Sequence, residues 1–200
     1  MIRRLTRRAL VALLLVGLAF WAYHGSSLHR NARRGPRAWP STTVRRPYGV
    51  RVVVDPATVW VDDGDTIRIT WPDAPRETVR LLGIDAPEVR HRRGGLLEGQ
   101  PHGVEALEFA RRLILGARRL ELLRAHTLDR YNRTLGYVFV DGANFSALAV
   151  ENHMAESTLD RYGDNGFPRE AAEIRSAARR AGPPPFESPA VFRARERESR

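Results

Sequence analysis

From Tyr48 onward, apolar and polar residues alternate in short runs broken by Gly, Asp and Pro, the pattern of β-strands. Gly49 to Val54 and Val59 to Val61 are the first of these runs. Asp62-Asp63-Gly64 reads as a tight turn into a strand from Asp65 to Trp71, which Pro72-Asp73-Ala74-Pro75 ends. Glu77 to Leu82 is a third strand, so two acidic segments flank one hairpin. Val104, Leu107, Ala110 and Ile114 follow helical spacing, with Gly116 placed to close the helix. Arg119 to Leu123 and Thr134 to Val140 are two further strands. Asn144 can cap a short helix holding Phe145, Leu148 and Ala149, and Pro168 opens a last helix stopped by Gly182-Pro183-Pro184-Pro185. Five short strands, with a helix between the third and fourth and two helices behind, predict an α+β fold: a five-stranded Greek-key barrel of OB type with three helices.

The first 47 residues have a different texture. Ala9 to Tyr23 is an uncharged run preceded by Arg3, Arg4, Arg7 and Arg8. At about 1.5 Å per residue it spans roughly 22 Å, short of a hydrocarbon core of about 30 Å. It reads as a signal anchor over residues 1–23, ahead of a cleaved signal peptide, with Trp21 and Tyr23 at the interface. Either reading sets the remainder outside the cytoplasmic membrane. Residues 24–47 read as a flexible basic linker, residues 48–182 as the folded domain and residues 183–200 as a disordered tail. A monomer is expected.

Locating the charge changes its meaning. The formal +10 lies wholly in residues 1–47, which carry ten arginines and no acid; the rest balances 23 arginines against 23 acids. Bulk basicity therefore gives the domain no affinity for nucleic acid, and any phosphate contact must come from individually placed arginines. With no cysteine, disulfides and thiolate metal sites are excluded.

Hydrolysis of a phosphodiester needs neutralisation of the phosphate and an oriented water. Asp65 and Asp85 are candidate ligands of an all-oxygen site, which suits calcium or magnesium over zinc. Arg80 and Arg133 are candidate phosphate clamps. Glu88, beyond the rigid Pro87, is placed to orient or deprotonate water. Each also has an ordinary reading: Asp63-Gly64-Asp65 as a common turn, Asp85 as a cap, Arg80 as a surface strand residue. His91, His102 and His126 read as loop or surface residues.

Four segments in order, Asp63-Gly64-Asp65-Thr66, Arg80 to Glu88 (RLLGIDAPE), Gly103-Val104-Glu105-Ala106 and Asp129 to Leu135 (DRYNRTL), resemble the staphylococcal nuclease (thermonuclease) family across roughly Tyr48 to Gly182. The resemblance implies calcium-dependent hydrolysis of DNA and RNA, with calcium ahead of magnesium. It implies that Asp65 and Asp85 hold the metal with the backbone carbonyl of Ala86, and that Asp63 supports them. Arg80 and Arg133 would bind the scissile phosphate, Glu88 would act on water, and Arg130 and Tyr131 would contact a terminal phosphate. Ala86 stands where threonine is frequent and Asn132 where glycine is. The family's base-pocket tyrosines fall near Leu159 and Arg161, with Tyr162 one place off. Val89 to Pro101 looks longer than usual, and its Arg90, Arg92 and Arg93 are candidates for steering a nucleic-acid strand. Two rival readings stand beside this one: a catalytically inactive OB-type module that binds nucleic acid or protein, and a membrane-surface protein whose basic arm is the functional part.

Overall fold

In a computed structural model, residues 47–89 and 99–198 are described. Chain contacts divide the molecule into residues 1–43 and 44–200, and the described residues belong to the second unit. The expected anchor and basic linker, and Arg90, Arg92 and Arg93, lie outside the described residues. Among those described, no helix is long and apolar enough to cross a membrane.

The chain runs through β1 (Arg51–Val54), β2 (Val59–Asp63), β3 (Thr66–Ile69), β4 (Glu77–Leu81), β5 (Ile84–Asp85), helix α1 (Gly103–Leu115), β6 (Leu120–Leu128), β7 (Thr134–Val140) and β8 (Ala143–Asn144). It continues through α2 (Phe145–Glu151), β9 (Glu156–Ser157), α3 (Leu159–Tyr162), α4 (Pro168–Ala181) and α5 (Pro189–Glu198). The main sheet has the order β1-β6-β7-β4-β3-β2, with β8 beside β7, while β5 pairs with β9 separately. This is the expected mixed α+β arrangement, and closure of a barrel is not seen among the described residues. β1 and β2 stand at opposite ends of the strand path, and no ladder joins them among the described residues. A 3-10 turn at Pro56–Thr58, capped by Asp55 accepting from the Ala57 amide at 2.9 Å, swings the chain from β1 to β2 without pairing them, and β2 packs on α1 instead.

The parallel β4–β7 ladder carries the consequence for function. Its register sets Val79 beside Thr134 and Arg80 beside Leu135, while the antiparallel β3–β4 register sets Thr66 beside Arg80. Arg80 thus lies between the start of β3, next to Asp65, and the start of β7, next to Arg133. Behind it, Ile67, Ile69, Val79, Leu81, Leu122, Tyr137 and Phe139 meet Phe145 and Ile174 in the core. Each large side chain so buried contributes about 1.5–3 kcal/mol.

Asn144 caps α2 by accepting from the Ser146 amide at 3.0 Å, and Pro168 and Gly182 bound α4, all at their predicted places. Helix α1, closed by Gly116 as expected, buries Ala106, Phe109, Ala110 and Ile114 and leaves Val104 exposed. One expectation fails. Residues 189–198, expected to be disordered, form α5: proline is accommodated at a first helical turn, and Phe192 is buried against the domain.

Candidate active site

Asp65 sits in the turn between β2 and β3. The Asp63 carboxylate accepts from the Asp65 amide at 3.1 Å and shapes that turn. Gly64 lets it press onto the next acidic segment, since a Cβ there would stand 2.6 Å from the Ala86 Cβ. Asp65 Oδ2 accepts from the Ala86 amide at 2.8 Å, tying the two acidic segments together across 21 residues of sequence. Arg80 is wedged between the two aspartates. Its Nη1 pairs with Asp65, and its Nη2 donates to Asp85 Oδ1 at 2.9 Å.

Burial dominates the electrostatics here. It pushes the Asp65 carboxyl up to about 7 against the opposing pull of Arg80, and the neighbouring charges of Asp63 and Asp85 add to the rise. Asp63 is raised as well, by burial first and with Arg80 again opposing. Crowded carboxylates that repel one another in this way are relieved by added positive charge.

On the other wall, Asp129 organises the loop that presents Arg133. Asp129 Oδ1 accepts from the amides of Tyr131 at 2.9 Å and Arg133 at 2.8 Å, and Oδ2 accepts from Arg133 Nε at 2.7 Å. Burial alone would raise the Asp129 carboxyl, but these hydrogen bonds hold it below its ordinary value. The Nε contact uses one of five guanidinium N–H donors. Asn132 takes φ 62°, the left-handed conformation that asparagine tolerates.

These walls enclose a cavity of about 630 Å³. Asp63, Asp65, Arg80, Asp85, Glu88, Arg130, Tyr131, Arg133 and Tyr162 all line it, so nine of the ten residues singled out in the sequence converge. Ala86 is the exception: buried behind the wall, it meets the site through its amide. Tyr131 and Tyr162 are both largely exposed, and Arg130 and Arg133 lie over the Tyr131 ring at 4.8 and 5.4 Å.

Two contacts made to Glu88 had no signal in the sequence. Buried Gln100 accepts from the Glu88 amide at 3.2 Å, and its own amide donates to the Glu88 carbonyl at 2.8 Å, which fixes the Glu88 backbone. Arg193, from α5, donates through Nη2 to Asp85 Oδ2 at 2.6 Å and through Nη1 to Asp85 Oδ1 at 3.1 Å and Glu88 Oε1 at 2.5 Å. The role of Asp129, by contrast, was legible, since an Asp two and four residues before backbone donors is an Asx-turn pattern.

The donor set suits a hard cation. No imidazole lines the cavity, its carboxylates are oxygen donors, and Asp65 and Asp85 are held side by side. Among the described residues, no three carboxylates or imidazoles surround a single point, so carbonyls and water would complete any coordination shell.

Similarity to known proteins bears on this geometry. A profile described as "Staphylococcal nuclease homologue" matches residues 78–182. A thermonuclease of Staphylococcus intermedius is 34% identical over 134 residues, covering 64% of this chain and 72% of that protein. The chain belongs to the staphylococcal nuclease family. Its matched segment begins within β4 and ends at the close of α4, so α5 lies beyond it. A thermonuclease of Staphylococcus hyicus is 33% identical over 102 residues, covering 50% of this chain and 57% of that protein. The SPbeta prophage-derived endonuclease YokF of Bacillus subtilis is 34% identical over 94 residues, covering 46% of this chain and 30% of that protein. The chain thus spans well under two thirds of the length of these last two relatives.

Proposed function

We propose that this chain is a calcium-dependent nuclease that hydrolyses phosphodiester bonds of DNA and RNA. The observation that carries this reading is the convergence of Asp65, Arg80, Asp85, Glu88 and Arg133 on one cavity. Asp65 and Asp85 would hold the metal, with the Ala86 carbonyl beside them and Asp63 supporting the turn. When bound, calcium supplies positive charge against the phosphoryl oxygens. Arg80 and Arg133 hold the scissile phosphate, and Arg130 and Tyr131 a neighbouring terminal phosphate. Glu88 accepts a proton from water as the water oxygen attacks phosphorus; the bond from phosphorus to the leaving oxygen breaks, and that oxygen takes a proton from solvent. Tyr162 offers a stacking face for a base, a contact worth about 1–3 kcal/mol.

Digestion of plasmid DNA and of RNA tests the reading. Hydrolysis is expected with calcium and is expected to vanish in excess chelator; undiminished cleavage in chelator would overturn it. Because the domain is neutral in net charge and holds every site residue, removal of residues 1–47 is expected to leave the hydrolysis rate within about twofold. We place the domain outside the cytoplasmic membrane, tethered through residues 9–23, which fractionation of cells expressing the full chain would check.

The position of Glu88 gives a third expected result. A Cβ on Gly103 would stand 2.3 Å from the Glu88 carbonyl oxygen, a backbone atom that cannot swing aside. Gly103→Ala should displace Glu88, and misplacement by about 1 Å costs on the order of 10²-fold in rate. Initial rates of the variant against the parent chain measure this.

A further inference from the structure

Helix α5 does more than cover the site. Arg193 grips both oxygens of Asp85 and reaches Glu88 with the same guanidinium. Asp85 Oδ1 already receives Arg80, so both oxygens of this carboxylate are engaged by arginines. A cation coordinated by Asp85 and a guanidinium bound bidentately to it need the same lone pairs. Glu88 is likewise engaged by Arg193 at the carboxylate that the proposed reaction requires for water.

The way α5 is attached suits a part that can leave. It follows the rigid Pro183-Pro184-Pro185 segment, and its large buried apolar side chain is Phe192. Pro189 is buried with it, and the residues just ahead of α5 are tied down by polar bonds. Gln100 donates to the Glu187 carbonyl at 2.5 Å, and Ser188 donates to Glu156 at 2.7 Å. Gln100 is the residue that also fixes Glu88, so the segment ahead of α5 and the proposed water-activating group share one support.

We propose that α5 is an autoinhibitory latch, in which Arg193 fills the cation-binding carboxylates from within the chain and must withdraw before metal and phosphate bind. This rests on the metal-dependent reading above. Because calcium binds only the open form, its apparent affinity is the intrinsic affinity scaled by the fraction of molecules already open. A latch closed in about nine molecules of ten weakens calcium binding about tenfold.

Calorimetric titration of calcium alone into the full chain, without substrate, reads this directly. Arg193→Ala is expected to bind calcium about tenfold or more tightly than the parent. Phe192→Ala, which loosens the helix and keeps the arginine, is expected to shift in the same direction. Calcium should also speed amide hydrogen exchange across residues 189–198 of the parent chain. Equal calcium affinity in the parent and both variants, or exchange in α5 insensitive to calcium, would overturn the latch and leave the proposed activity standing. Unchanged calcium affinity with slower hydrolysis in Arg193→Ala would overturn it in favour of a substrate contact. Calcium binding by none of the proteins would overturn the latch and the metal reading together.

Discussion

Arg133→Ala and Glu88→Ala are each expected to slow phosphodiester hydrolysis by on the order of 10²–10³-fold, the cost of losing one pre-placed partner of the transition state. The reason lies in how each side chain is held. Arg133 is aimed by Asp129 through one side-chain and one backbone bond of its own, and the loop keeps the Tyr131 amide bond after truncation. The alanine variant should therefore keep its fold and lose phosphate neutralisation. Glu88 keeps its backbone bonds to Gln100 in the variant and loses the carboxylate proposed to take the proton. Initial rates on DNA and RNA at saturating calcium measure both losses. Unchanged rates in both variants would sink the assignment of roles.

Glu77→Ala is expected to destabilise the fold by about 3–5 kcal/mol, because it leaves a buried guanidinium without its counter-charge. Glu77 and Arg124 are both buried, and the carboxylate accepts from Arg124 Nε at 2.8 Å and Nη2 at 2.9 Å. It also accepts from Trp71 Nε1 and from Thr134 Oγ1, each at 2.8 Å. The network joins β4 to β6 on either side of β7 and holds the first residue of β7, immediately after Arg133. A loss of this size is a large fraction of the roughly 5–15 kcal/mol by which a domain is stable. Urea denaturation monitored by tryptophan fluorescence gives the value. The paired replacement Glu77→Leu with Arg124→Met should recover most of it, since an apolar pair of similar volume avoids the desolvation of two charges. A single-variant loss below about 1 kcal/mol would show that the pair is not held as described.

Local patterns carried most of the elements. Asn144, Pro168 and Gly182 mark helix ends through chemistry confined to a few neighbouring residues, and they are where the sequence placed them. The failures involve partners far away in the chain. The close approach of Gly103 to Glu88, 15 residues earlier, is a contact to which periodicity has no access. The strand path depended on where β1 and β2 find partners, which alternation within each strand leaves open. Glu77 looked like an ordinary strand residue because its counter-charge is 47 positions away.

By itself the sequence determined which groups are at hand: two acidic segments around one hairpin, an arginine within the second, and further arginines in Asp129 to Leu135. Those are short-range features, set by turn geometry and by residue type. Only the tertiary structure decided their use. The parallel β4–β7 ladder brings Arg80 and Arg133 to one cavity, and burial sets the ionisation of Asp65. Arg193 reaches Asp85 across 108 residues of chain, a contact made by docking one buried phenylalanine and invisible to any local pattern.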